Sequence, residues 1–191
     1  MNYFQKNKFF KGIIRKIKKK GAEDRIETIK PYLDKNGRIL DIGAGSCMVS
    51  ELLERQGCSI TPIDVEDLSF AKKIKPIIYN GSKMPFKKDE FAASLVLTVL
   101  HHTPFPEKIL KEAKRTSKKI IVIEDIYTNM FNKYLAYFID KLLNLKFSLA
   151  HTNKKDREWK EIFDGMNLKL LDAKYHNSPF GVKRAIYCLE K

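Results

Sequence analysis

The sequence predicts an α/β protein: a doubly wound, mostly parallel seven-stranded sheet with helices on both faces and an antiparallel C-terminal strand. Three observations carry that expectation. From residue 38 onward, short apolar stretches alternate with amphipathic ones, the pattern of strands joined by crossover helices. The first of these strands runs directly into a turn holding Gly43 and Gly45, and a helix follows. The last two strands succeed one another without a helix between them, as an antiparallel pair does.

In chain order, residues 1–36 read as a basic amphipathic arm and a lead-in helix. Between Tyr3 and Lys20, Phe10, Ile13, Ile14 and Ile17 recur at helical spacing with cations on the other faces. Gly21 is expected to interrupt that helix. A second helix follows over 23–33, with Ile26, Ile29 and Leu33 on one side. Asn36 and Gly37 make a turn. Residues 37–191 then form the α/β domain. Its strands are expected at 38–42, 59–63, 75–79, 91–97 and 119–124, with helices at 48–56 and 106–117. Gly57 stops the first of these helices. Residues 130–147 place Phe131, Tyr134, Leu135 and Phe138 at spacings of three and four. This predicts a helical insertion at about 128–150 that emerges at the carboxyl edge of the sheet, where open α/β sheets bind ligands. A helix over 156–164 turns Trp159, Ile162 and Phe163 inward, and 168–175 and 183–189 are the closing strands.

Composition narrows the classes. At 191 residues, 43% hydrophobic and 31% charged, the chain is long enough for one domain with a core and is neither disordered nor fibrous. Cys47, Cys58 and Cys188 form no CxxC pair, which argues against a disulfide framework or structural zinc site and for a reducing, cytoplasmic setting. No apolar stretch approaches the roughly 20 residues of a membrane-spanning helix. The net charge is +14, and the first 20 residues hold eight cations and no acid. Such an arm attracts nucleic acid, anionic lipid or a small anion.

The chemistry concentrates at the strand ends. Glycines at 43 and 45, around Ala44, let the backbone turn tightly and a ligand approach closely, facing the amides that open the next helix. A dinucleotide fingerprint needs a third glycine where Met48 stands, and Asp41 would repel a pyrophosphate. Asp41 suits a ligand that carries an amino group or positive charge.

On Asp41, Gly43 and Gly45 the chain resembles the class I methyltransferases that use S-adenosylmethionine, with Cys47 in place of their third glycine. The stretch Asn80, Gly81, Ser82, Lys83, Met84, Pro85, Phe86 and the run Leu100, His101, His102 are similar to the type-11, quinone-biosynthesis-like group. The resemblance covers residues 37–191 and implies site residues. Asp64, at the end of the second strand, would accept hydrogen bonds from both ribose hydroxyls, or else serve only as a helix cap. Val65 would pack on the adenine. Asn80 stands where that group has an acid reaching the adenine amino group, and Gly81 would offer a backbone amide. Thr98 and Val99 would pass beside the methionine part. Methyl transfer needs a base only where the acceptor loses a proton, and His101 or His102 can serve, with Glu124 as the second choice. Equally, Glu124 can cap the segment after it. No metal is implied.

A small-molecule acceptor, lipophilic if 130–147 forms a lid, is the leading expectation, with the arm in peripheral contact with anionic membrane. An RNA methyltransferase that holds phosphates with the arm, and a non-catalytic partner protein that kept the fold, are the rival readings.

Overall fold

The computed structural model describes residues 8–34, 36–127, 153–177 and 183–191, with side chains described from residue 12 onward. The expected insertion at 128–150 lies outside the described residues, as does the loop joining the last two strands. Helix α1 (Lys8–Ile29) leads into strand β1 (Ile39–Ile42), helix α2 (Met48–Arg55), strand β2 (Ile60–Asp64) and the two-residue strand β3 (Ile77–Ile78). Strand β4 (Phe91–Leu97), helix α3 (Pro106–Thr116) and strand β5 (Ser117–Ile126) follow, then helix α4 (Asp156–Gly165) and strands β6 (Lys169–Asn177) and β7 (Lys183–Glu190). The seven strands lie in the order β3-β2-β1-β4-β5-β7-β6. Only β7 runs against the direction of the rest of the sheet, pairing antiparallel with β5 on one side and β6 on the other.

Neighbouring residues on the central strands divide between two cores, as the two-residue period of a strand requires. Leu40, Val96, Val122 and Tyr187 face α3 and α4, where Leu110, Trp159 and Phe163 close the first core. Ile39, Leu95, Ile121 and Ile186 face the opposite way, onto Ala22, Ile26 and Ile29 of α1 and Leu53 of α2. A strand buried on both faces reads as an unbroken apolar stretch, which is why β4 matches its expected limits.

Several elements depart from expectation, and β3 forms only over Ile77–Ile78 where 75–79 was expected. Gly21 does not break the first helix, and α1 is continuous where an arm and a separate lead-in helix were expected. A glycine inside a helix costs only about 0.5–1 kcal/mol. The ion pairs Lys19–Glu23 and Lys20–Asp24 span Gly21, and burial of Ala22, Ile26 and Ile29 holds the following turns. Further back, Arg15 reaches the carboxylate of Glu51 on α2 at 3.2 Å and the carbonyl of Phe70 at 3.2 Å. Strand β5 starts earlier and runs longer than its apolar stretch, to Ile126, because β7 pairs with it through Glu124↔Ala185 and Asp125↔Arg184. No helix among the described residues is long and apolar enough to cross a membrane.

Candidate active site

The carboxyl ends of β1, β2, β4 and β5 converge on the turn after β1. Gly43 (φ +68°) and Gly45 (φ +49°) both occupy the left-handed region, yet they do different work. A Cβ on Gly43 would lie 2.7 Å from both methyl groups of Val99, so the close approach there is to the protein's own β4 turn. A Cβ on Gly45 would meet nothing nearer than 3.9 Å, which leaves that side of the turn open. Cys47 is also left-handed (φ 53°), the conformation a glycine adopts most easily. Burial, with the nearby Asp41 carboxylate adding to it, pushes the Cys47 thiol up to about 12, so the thiol stays protonated and inert.

Two acids bracket this turn. Asp64 ends β2, and its carboxylate accepts the Gly45 amide at 2.7 Å and the Val65 amide at 2.7 Å. The residue expected to hold the ribose therefore fixes the glycine turn. Asp41 is buried, and its Oδ2 accepts the Ser50 hydroxyl at 2.6 Å. Burial raises its pKa to about 6; the Ser50 hydrogen bond and Arg25 oppose that rise, and Asp64 adds to it.

Arg25 is the residue that sequence reasoning missed. It projects from α1 into the same edge, where Nη2 lies 3.4 Å from the Thr98 hydroxyl. Its buried Nε has no hydrogen-bond partner among the described residues. Burial, then Arg184, hold its pKa below the ordinary value, against the pull of Asp125, Asp41 and Asp24. A buried donor without an acceptor is costly, and an anionic group brought between Arg25 and the turn would satisfy it. The only sequence signal was one cation facing the same way as Ala22, Ile26 and Ile29, which a solvated arm would equally carry.

The remaining expected residues fall along the same edge. Val65 is 59% exposed on this edge. Gly81 (φ +75°) would place a Cβ 3.4 Å from Val65. The Asn80 side-chain oxygen accepts the Ser82 amide at 3.0 Å and shapes a local turn. Behind it, Glu112 accepts the Met84 amide, and Arg115 donates to the carbonyls of Met84 and Phe86. These two α3 side chains hold the Met84–Phe86 stretch and were not anticipated. Thr98 (φ +59°) makes the bend after β4.

Glu124 is fully buried on β5. One oxygen accepts the amides of Val99 and Leu100 at 2.9 and 2.7 Å; the other accepts His101 Nδ1 at 2.5 Å. An ionised Glu124 only accepts, so the Nδ1 contact places a proton on that ring nitrogen of His101. His101 is buried, and its ring lies 4.0 Å from that of the half-buried His102. Glu124 thus fixes the β4 turn and orients the His101 ring.

The edge fits an adenosine joined to an amino acid. Asp64 and Val65 suit the sugar and base, while Asp41 and Arg25 offer opposite charges for the ammonium and carboxylate. The architecture is that of the class I methyltransferases. Residues 40–120 match a family model described as a methyltransferase domain. An uncharacterized protein of Methanocaldococcus jannaschii is 34% identical over 98 residues, 51% of this chain and 47% of its own length, so the match spans about half of that relative. A methyltransferase structure from Archaeoglobus fulgidus superposes with a TM-score of 0.70 at 14% identity, over 91% of this chain and 94% of its own. One from Methanosarcina mazei gives 0.66 at 19%, over 86% and 96%. Both are described as S-adenosylmethionine-dependent, and at these identities they establish the fold.

Proposed function

We propose that the protein is an S-adenosylmethionine-dependent methyltransferase acting on a small molecule. The observation that carries this is the charge arrangement around one open turn: Asp64 at the sugar position, with Asp41 and Arg25, whose charges act on one another, toward the amino-acid end. S-adenosylmethionine supplies the methyl group as a sulfonium. The chain's own part is to bind and align. Asp64 accepts the ribose hydroxyls, Val65 covers the adenine, Asp41 receives the ammonium group and Arg25 the carboxylate. Thr98 and Val99 flank the chain between them. Alignment of donor and acceptor accounts for much of such a rate enhancement, up to about 7–11 kcal/mol. Where the acceptor atom must lose a proton, His101 or the more open His102 is the base, with Glu124 holding the His101 ring through Nδ1. The family match over residues 40–120 supports the reading, as does the fold.

The test is thermal. S-adenosylhomocysteine should raise the melting temperature, and Asp64→Ala should abolish the rise. Asp64→Asn, which keeps an acceptor for the Gly45 and Val65 amides, should fold normally and bind more weakly. No shift with either S-adenosylmethionine or S-adenosylhomocysteine rejects the assignment.

A second observation bears on location. On α1, Ile13 and Ile17 are 41% and 56% exposed beside the exposed Lys16 and Lys20. An apolar stripe framed by cations fits the surface of an anionic bilayer better than an RNA backbone, which has no use for the isoleucines. Co-sedimentation with phosphatidylglycerol vesicles, lost in Ile13→Glu/Ile17→Glu, checks this. Salt-sensitive RNA binding that disappears on removal of residues 1–20 would favour the RNA reading instead.

A further inference from the structure

A cleft of about 490 Å³ opens beyond the end of β5, lined by Ile126, Tyr127, Lys155, Asp156, Arg157, Tyr175 and Lys183. That volume is in the range of small-molecule sites. Ile126 is two residues beyond Glu124, so the cleft begins on the same strand end as the proposed His101 apparatus.

Its charge is one-sided. Asp156 is the single acid in the lining, and it is already satisfied. It accepts the hydroxyls of Tyr175 and Tyr187 at 2.9 and 2.8 Å and the Lys160 ammonium at 2.8 Å. Burial works against its charge, but these donors outweigh burial and keep its pKa below the usual carboxylate value. The cations are less committed. Lys183 Nζ lies 5.1 Å from the centre of the Tyr175 ring and has no carboxylate partner among the described residues. Lys155 likewise makes no ion pair among the described residues, where Arg157 reaches only Glu161, at a largely exposed position. Ile126, Tyr127 and Tyr175 supply flat or apolar wall between these charges.

We infer that this cleft binds a small molecule with a flat apolar body and an anionic group, a carboxylate or a phosphate, held between Lys155 and Lys183 with its body against Tyr175. Resting on the methyltransferase reading, this makes the methyl acceptor an anion. The acceptor class thereby shifts from purely lipophilic to amphiphilic, because the cleft's described walls combine aromatic and cationic side chains.

The test is titration calorimetry on the full chain with 4-hydroxybenzoate, its neutral counterpart 4-hydroxybenzamide, and phenyl phosphate. The two anions should bind at least tenfold more tightly than the amide, and their ratio separates the carboxylate from the phosphate preference. In Lys155→Gln/Lys183→Gln the advantage of the anions should disappear, whereas Lys88→Gln, on the exposed loop before β4, should leave it intact. Equal binding of acid and amide overturns the inference, as does unchanged anion binding in the double variant. S-adenosylhomocysteine is titrated into the same preparations. If it binds and the anions do not, this inference alone fails; if the anions bind and it does not, the identification of the anion as methyl acceptor fails with the methyltransferase reading.

Discussion

At the scale of single residues, the site depends on side chains that hold other groups in place. Asp41 shows this through pH. Its folded pKa, about 6, lies above the ordinary carboxyl value of 3.8, so the folded state binds its proton more tightly. The stabilisation from that proton is complete below pH 3.8 and is lost as pH rises through about 6. Asp41→Asn should therefore gain on the order of 1–3 kcal/mol over the natural protein at pH 7.5 and little at pH 4, read as the difference in urea midpoint. A bound ammonium group reverses the preference and favours the ionised carboxylate. S-adenosylhomocysteine affinity should accordingly strengthen from pH 5 to 7 and become nearly flat in Asp41→Asn. Arg25→Ala removes the buried Nε, which has no partner among the described residues. Its expected signature is an S-adenosylhomocysteine dissociation constant raised tenfold or more without loss of the folded state.

At the scale of elements, two glycines make opposite predictions. Gly21 sits inside α1, and a methyl group added there would meet no atom closer than the Arg25 guanidinium at 3.7 Å. Gly21→Ala should stabilise the protein by about 0.5–1 kcal/mol, measured by chemical denaturation. Gly43 is left-handed and pressed against Val99. Gly43→Ala should cost about 1–3 kcal/mol, because the added methyl must displace the β4 turn that Glu124 holds. The same substitution should weaken S-adenosylhomocysteine binding, since Thr98 and Val99 move with that turn. Glu124→Gln tests the positioning role separately. The amide oxygen can still accept the Val99 and Leu100 N–H groups, but its NH2 then faces His101 Nδ1 and favours the opposite tautomer. The pH profile of turnover should shift while donor affinity changes little.

At the scale of the whole molecule, α1 joins two surfaces that the sequence presents as unrelated. Its buried side is part of the core against β1, β4 and β5, its Arg25 enters the donor edge, and Ile13 and Ile17 stand outside. Deleting residues 1–20 therefore removes more than a solvated tail. It removes the Arg15 contact with Glu51 and Phe70 and shortens the helix that presents Arg25. The truncated chain should melt several degrees lower and bind S-adenosylhomocysteine more weakly, even in the absence of membrane or RNA.

The alternation of strand and helix, the glycine turn with Asp41, the acid at Asp64 and the antiparallel ending were all legible in the amino-acid order. Each depends on local spacing: the two-residue period of buried strands, the turn that glycine permits, and the distance from one strand end to the next. Other features became visible only in three dimensions. Arg25 is 73 residues from Thr98 in sequence, and Glu124 is 23 from His101. No periodicity relates such pairs, because the sheet order that brings β4 and β5 side by side is a property of the whole chain. The continuity of α1 through Gly21 was likewise decided by burial of Ala22, Ile26 and Ile29, which outweighs a local preference worth less than a single buried side chain.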